Sequence, residues 1–232
     1  MTTFGLVHGA WHGAWCWGDL VPELAARGHR AIAVDLPCDD PLMGCAGYAE
    51  RVVDAVAGAG EDLVLVGHSM GGLTIPLVAA ARPVRLLVFL CALIPRPGLS
   101  LIGQLKDEPD IFVPGFGATV ARDDAGRSFW PDEAALIATL YQDCDPAAAA
   151  RAYARLRPQG RPPNVEPCPL EALPAVPRAA ILARDDRSIA AGWSRRAARE
   201  RLGVEAVEIE GGHSPFVSRP GELADLLAAL AA

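Results

Sequence analysis

The sequence predicts an α/β fold built on a doubly wound, mostly parallel six-stranded sheet. Three observations carry that expectation. Six short runs are mostly apolar, helix-like stretches separate them, and glycine or proline stands at several of the joins. A strand covered on both faces reads as a continuous apolar run rather than an alternating one. The resulting β-α-β-α-β-α-β order belongs to a doubly wound sheet.

The strands are expected at Phe4 to Val7, Ala31 to Val34, Leu63 to Val66, Leu86 to Cys91, Ala179 to Ala183 and Ala206 to Ile209. Helices are expected between them. Leu20 to Arg27 stops at Gly28, a residue suited to the position after a helix. Tyr48 to Ala57 sets Val52, Val53 and Val56 on one face. Met70 to Ala81 follows the third strand, with Pro76 inside it expected to kink it. Leu223 to Leu230 closes the chain with leucines at helical spacing. The alternation breaks after Pro95, and about eighty residues pass before the next strand. Loose aromatics and prolines fill that stretch, with one clear helix, Pro146 to Arg157, which Asp145 can cap. We expect a small cap insertion, roughly residues 96–175, over the site. It has too few apolar residues for its own core, so residues 1–232 read as a single domain.

A chain of 232 residues that is 51% hydrophobic can bury a sizeable core. Its net charge of -7 repels polyphosphate and anionic lipid, so neither a nucleic-acid nor a membrane partner is expected. The start, Met1-Thr2-Thr3-Phe4, has no basic segment leading into an apolar one. The longest strongly apolar run, Leu86 to Ile94, is far short of the ~20 residues of a membrane span. The six cysteines form neither a CxxC pair nor a zinc spacing. A cytoplasmic protein with buried free thiols is the expectation, as monomer or homodimer.

The chemistry is concentrated in Gly67-His68-Ser69-Met70-Gly71-Gly72, between the third strand and the next helix. That is the G-x-S-x-G nucleophile elbow in its strand-turn-helix setting. The turn is tight enough to strain the serine and to exclude any side chain at Gly67 or Gly71. It lifts the Ser69 hydroxyl above the C-terminal edge of the sheet. A serine needs a base. Of His8, His12, His29, His68 and His213, the last follows the final strand in Gly211-Gly212-His213 and so reaches the same edge. His29 precedes a strand and belongs at the opposite edge; His68 is expected to point away from Ser69. His8 and His12 have metal-like spacing but no helix and no third ligand, so no metal is expected, and no cofactor. The acid must follow a strand between Ser69 and His213, which leaves Asp185 or Asp186. Backbone amides of Ala10 and Met70 are the expected oxyanion donors. Trp11, Phe112 and Trp130, with Phe116 and Phe129, are candidates to line an apolar substrate pocket.

With these residues in view, the chain resembles the α/β-hydrolase superfamily, in the branch of plant methyl esterases, hydroxynitrile lyases and bacterial small-ester hydrolases. The anchors are Val7-His8-Gly9-Ala10-Trp11-His12-Gly13-Ala14-Trp15, the elbow, Asp185-Asp186-Arg187-Ser188-Ile189 and Gly211-Gly212-His213; Arg155-Leu156-Arg157-Pro158-Gln159 is similar to a feature of the bacterial relatives. The resemblance implies a fold lacking the family's first two strands, with Ala31 to Val34 at one sheet edge and Ala206 to Ile209 at the other. It favours Asp186 over Asp185 and agrees on Ala10 and Met70. The lyases that this group resembles carry a threonine where Ala10 stands and a lysine where Ser214 stands. Without that positive charge a cyanide leaving group is not served, so the expectation is a carboxylic ester hydrolase acting on a small apolar ester through an acyl-enzyme. The same triad would also serve a C–C hydrolase, a lactonase or a biosynthetic thioesterase or cyclase. A receptor-like binding protein with little turnover is the expectation's third form.

Overall fold

The six runs pair into one parallel sheet in the order second, first, third, fourth, fifth, sixth. A computed structural model describes residues 1–232. The strands are β1 (Thr3–Val7), β2 (Arg30–Val34), β3 (Leu63–His68), β4 (Leu86–Leu90), β7 (Arg178–Ala183) and β8 (Val207–Ile209). The edges are β2 and β8, as the family resemblance implies. Within each continuous run the side chains still alternate between two cores. Leu63, Leu65, Leu87 and Phe89 join a cluster of 31 buried residues; Val64, Val66, Leu86 and Val88 join one of 21. On the central strands both faces are therefore dry, which is why those runs are apolar throughout, whereas edge strand β8 keeps Glu208, which pairs with Arg184 and Arg195.

Helices α2 (Cys45–Ala55), α3 (Ile75–Ala81) and α8 (Ala191–Ala197) cover the first face; α1 (Leu20–Ala26) and α9 (Pro220–Leu230) cover the second. Gly28 has φ +79° after α1, the left-handed conformation expected past a helix end. The expected single helix from Met70 to Ala81 is two pieces. A 3₁₀ turn, Ser69–Leu73, comes first, and α3 starts at Ile75. Pro76 is thus in the first turn of α3, where its missing N–H costs nothing, and it does not kink a helix interior. No helix is long and apolar enough to cross a membrane. All six cysteines are unbridged, and Cys16, Cys38 and Cys91 are buried.

The segment between β4 and β7 is more regular than expected. It contains α4 (Leu101–Asp107), a two-stranded antiparallel ribbon β5–β6 (Ala121–Arg122 and Ser128–Phe129), α5 (Glu133–Leu140), α6 (Pro146–Tyr153) and α7 (Pro162–Val165). Ser100, Asp132 and Asp145 cap α4, α5 and α6 by accepting the amides of Gly103, Ala135 and Ala148. Helix α6 ends four residues before Arg157. Arg157 precedes Pro158, which disfavours the helical conformation, and its amide donates to Trp11 O instead. Trp130, Leu136, Leu140, Tyr141, Ala149 and Ala152 form a small buried cluster. It is completed by Trp11, Trp15 and Val217 from the sheet's own loops, so it does not stand apart from them.

Candidate active site

The register of the sheet assembles the site. Val7 pairs with Gly67 and His68 with Leu90, so the loops after β1 and β4 meet the turn after β3 at one edge. Ser69 has φ +52°, the left-handed region that a residue with a Cβ adopts at a cost. The close approach of its neighbours enforces that turn. A Cβ on Gly67 would lie 2.8 Å from Gly71 O, and one on Gly71 would lie 2.6 Å from Val7 O. The Ser69 carbonyl accepts the Leu93 amide at 3.0 Å, and the residue stays half-buried at the cavity floor.

The loop after β8 brings His213 back over β3. His68 Nε2–H donates to the His213 carbonyl at 2.9 Å, and the two rings lie 4.7 Å apart. His68 was expected to point away from Ser69. It does so by pointing beneath the site, where it holds the backbone of the next histidine. Burial pushes the His68 pKa well below its ordinary value, so it stays neutral. The imidazole of His213 is buried, with Nδ1 2.8 Å from Asp186 Oδ2. The other Asp186 oxygen accepts the amides of Ser188 (2.7 Å) and Ile189 (3.1 Å). Those three contacts hold the carboxylate in one orientation. Asp185 is exposed and meets the rest of the chain through its backbone: its amide donates to Gly211 O and its carbonyl accepts Gln142 Nε2.

Two contacts from the α5–α6 loop were not legible in the sequence. Asp143 Oδ2 accepts the Gly212 amide at 3.0 Å, and Gln142 Nε2 reaches the Asp185 carbonyl at 2.8 Å. Together they tie the loops bearing His213 and Asp186 to the segment between β4 and β7. Each spans more than forty residues, and no local pattern announces it.

The turn after β1 is built from its own histidines. His8 Nε2 accepts the Leu36 amide at 3.0 Å, so its proton sits on Nδ1 and is donated to Gly9 O at 2.8 Å. Gly9 C=O and Ala10 N–H belong to one peptide group, and the Ala10 amide takes no part in the backbone hydrogen bonds. His12 Nδ1–H donates to Ala10 O, and its Nε2 accepts the Tyr141 hydroxyl, both at 2.6 Å. Burial lowers the pKa of His8 to about 4 and that of His12 to about 3. Every ring nitrogen of His8 and His12 is thus engaged by the chain itself.

A cavity of about 320 Å³ opens from Ser69. Ala10 and Met70 line it together with Ser69. Trp11, Leu93, Leu105, Phe112, Phe116 and Val120 give it apolar walls. Trp11 and Phe112, two of the sequence candidates for a pocket wall, both line this cavity. Trp130 does not line the cavity: it is buried behind Trp11, edge to face at 5.6 Å, in the small cluster with α5 and α6. Phe116, stacked on Phe112 at 4.7 Å, occupies the wall instead. Phe129 is on neither wall nor floor.

A parallel doubly wound sheet, a strained serine after its third strand, and a hydrogen-bonded aspartate–histidine pair at the same edge define the α/β hydrolases. The chain belongs to that family, whose pattern it matches over residues 6–226. Among relatives, it is 33% identical to the probable esterase PIR7A of Oryza sativa subsp. indica, over 99% of this chain and 96% of that one. It is 30% identical to a carbendazim hydrolyzing esterase of Nocardioides sp., covering 99% of this chain and 100% of that one. The crystal structure of a pyrethroid hydrolase from Sphingobium faniae superposes with a TM-score of 0.80 at 26% identity, over 99% and 97% of the two chains.

Proposed function

We propose that the protein is a serine-dependent carboxylic ester hydrolase that cleaves small apolar esters through an acyl-enzyme. The observation that carries the proposal is the Asp186–His213 pair, its carboxylate fixed by two amides, brought by the loops after β7 and β8 to the sheet edge that carries the strained Ser69 turn. In the proposed reaction His213 takes the Ser69 proton as Oγ attacks the ester carbonyl. Asp186 accepts from Nδ1, which leaves Nε2 free to act as base and stabilises the imidazolium. The amides of Ala10 and Met70 receive the oxyanion. Collapse breaks the bond to the alkoxide, which leaves with the proton from His213. Water, deprotonated by His213, then attacks the acyl carbonyl and frees Ser69.

Named esterases among the relatives and the apolar walls of the cavity both support an ester with apolar groups on at least one side. The cavity volume, near the lower end of the ~300–1,000 Å³ usual for small-molecule sites, favours a short substrate. The segment over Ser69 serves as the cap in this reading. Unbridged cysteines fit a reducing compartment, and we assign the protein to the cytoplasm. The test is turnover of p-nitrophenyl acetate and butyrate. Ser69→Ala is expected to reduce kcat by about 10⁴-fold or more; equal rates in the two proteins would reject Ser69 as nucleophile.

A further inference from the structure

We infer that Arg157, on the segment between β4 and β7, is a positioning residue for the oxyanion-binding turn. The inference rests on the ester-hydrolase reading above and concerns how the Ala10 amide is held. Trp11, the residue after Ala10, has φ +65°. A bulky residue stays in that conformation only where its surroundings over-determine it. Those surroundings come from the inserted segment. The Arg157 amide donates to Trp11 O at 2.8 Å, and the indole Nε1–H donates to Ser128 O and Ser128 Oγ, both at 3.1 Å. The next carbonyl, His12 O, accepts Arg157 Nη2 at 3.0 Å and Nε at 3.4 Å.

The guanidinium is anchored in turn. Nη2 also donates to Leu36 O at 3.0 Å and lies 3.1 Å from Asp35 Oδ1, and Nη1 lies 3.4 Å from Asp39 Oδ1. One planar fork therefore joins the loop after β1 to the loop after β2, and its backbone fixes the strained residue between them. A lysine has one ammonium centre and cannot span the same set of acceptors. Arg157 is not among the residues that line the cavity. Its effect is on the direction of the Ala10 amide, which matters most when charge develops on the carbonyl oxygen.

The experiment compares wild type, Arg157→Gln, Arg157→Lys and Ser69→Ala with p-nitrophenyl butyrate. It also measures inhibition by butylboronic acid, whose serine adduct is tetrahedral and anionic. The expected result for Arg157→Gln is a fall in kcat of about 10–100-fold with KM within about twofold. Boronate affinity should fall by a similar factor, and Arg157→Lys should lie between. Retained far-ultraviolet circular dichroism separates this from unfolding. Should Arg157→Gln not fold, Arg157→Lys carries the test with the same kcat-selective pattern. Wild-type kcat and boronate affinity in the folded variant, or a loss confined to KM, would overturn the inference while leaving the esterase reading intact. Ester turnover that survives Ser69→Ala would overturn both.

Discussion

The sheet and the segment inserted between β4 and β7 are built by different forces. The sheet buries two large apolar clusters and reaches its geometry through continuous strands. The insertion has a cluster of only six buried residues and borrows Trp11, Trp15 and Val217 from the sheet's loops to complete it. Leu101 and Ile111 also join the sheet's larger cluster, and polar contacts tie the rest to the sheet's loops: Arg157 and Ser128 on the turn after β1, Asp143 on Gly212, Gln142 on Asp185 and Arg187 Nη1 on Ala138 O at 3.0 Å. The lesson is a division of labour. The sheet's strand ends carry Ser69, Asp186 and His213, and the segment between β4 and β7 lines part of the cavity and hydrogen-bonds to three of the sheet's loops.

That division predicts different consequences for substitutions in the two regions. The largest should come from the sheet's loops. Asp186→Asn leaves its one oxygen on the Ser188 and Ile189 amides and turns an NH2 donor toward His213 Nδ1, so the imidazole takes the wrong tautomer and ester turnover should fall by about 10⁴-fold. Asp185→Asn, one residue away and exposed, should stay within about twofold of wild type. Comparable losses in steady-state assays of both variants would erase the distinction between the two aspartates.

A second consequence also belongs to the sheet. His8 and His12 are neutral in the folded protein because burial lowers their pKa from 6.5 to about 4 and about 3. In the unfolded chain they gain protons as the pH drops through 6.5. Stability from burying them neutral is complete above pH 6.5 and declines as the pH falls towards 4 and then 3. For His8 alone the loss is roughly 3 kcal/mol. Thermal melts should show Tm falling steadily from pH 7 to pH 4; a flat Tm over that range would show that the turn after β1 does not stay neutral.

The smallest effect should come from the insertion wall. Phe116→Ala widens the cavity without touching Ser69, His213 or Asp186. KM for p-nitrophenyl butyrate should rise by about 3–10-fold while kcat changes little, as loss of a side-chain contact worth ~1 kcal/mol implies. Trp130→Phe, behind the wall, should leave KM near the wild-type value. A larger KM change from Trp130→Phe than from Phe116→Ala would reverse their places around the substrate.

The same contrast explains what the sequence disclosed. The four central strands, buried on both faces, advertise themselves as apolar runs, the two edge strands less cleanly, and all six lay within a residue or two of their expected ends. Ser69, His213 and the Asp185–Asp186 pair were legible because each follows a strand, and strand order sets which sheet edge they reach. The insertion was not legible in the same way. Helices of four to eight residues such as α5 and α7 are too short to show a period, although Ser100 and Asp132 are recognisable caps. Trp130 was misread because an aromatic residue beside a site and one behind its wall look alike in sequence. His68, Asp143, Gln142 and Arg157 act through hydrogen bonds to distant loops, and such bonds leave no periodic trace.

The central claim is that Ser69 is the nucleophile activated by His213. Its most direct test is peptide mass spectrometry of the folded protein after treatment with a fluorophosphonate probe. One phosphonyl group is predicted on the peptide bearing Ser69, and it should be lost in His213→Ala. A folded, ester-hydrolysing protein labelled at another residue, or not labelled at all, would contradict it.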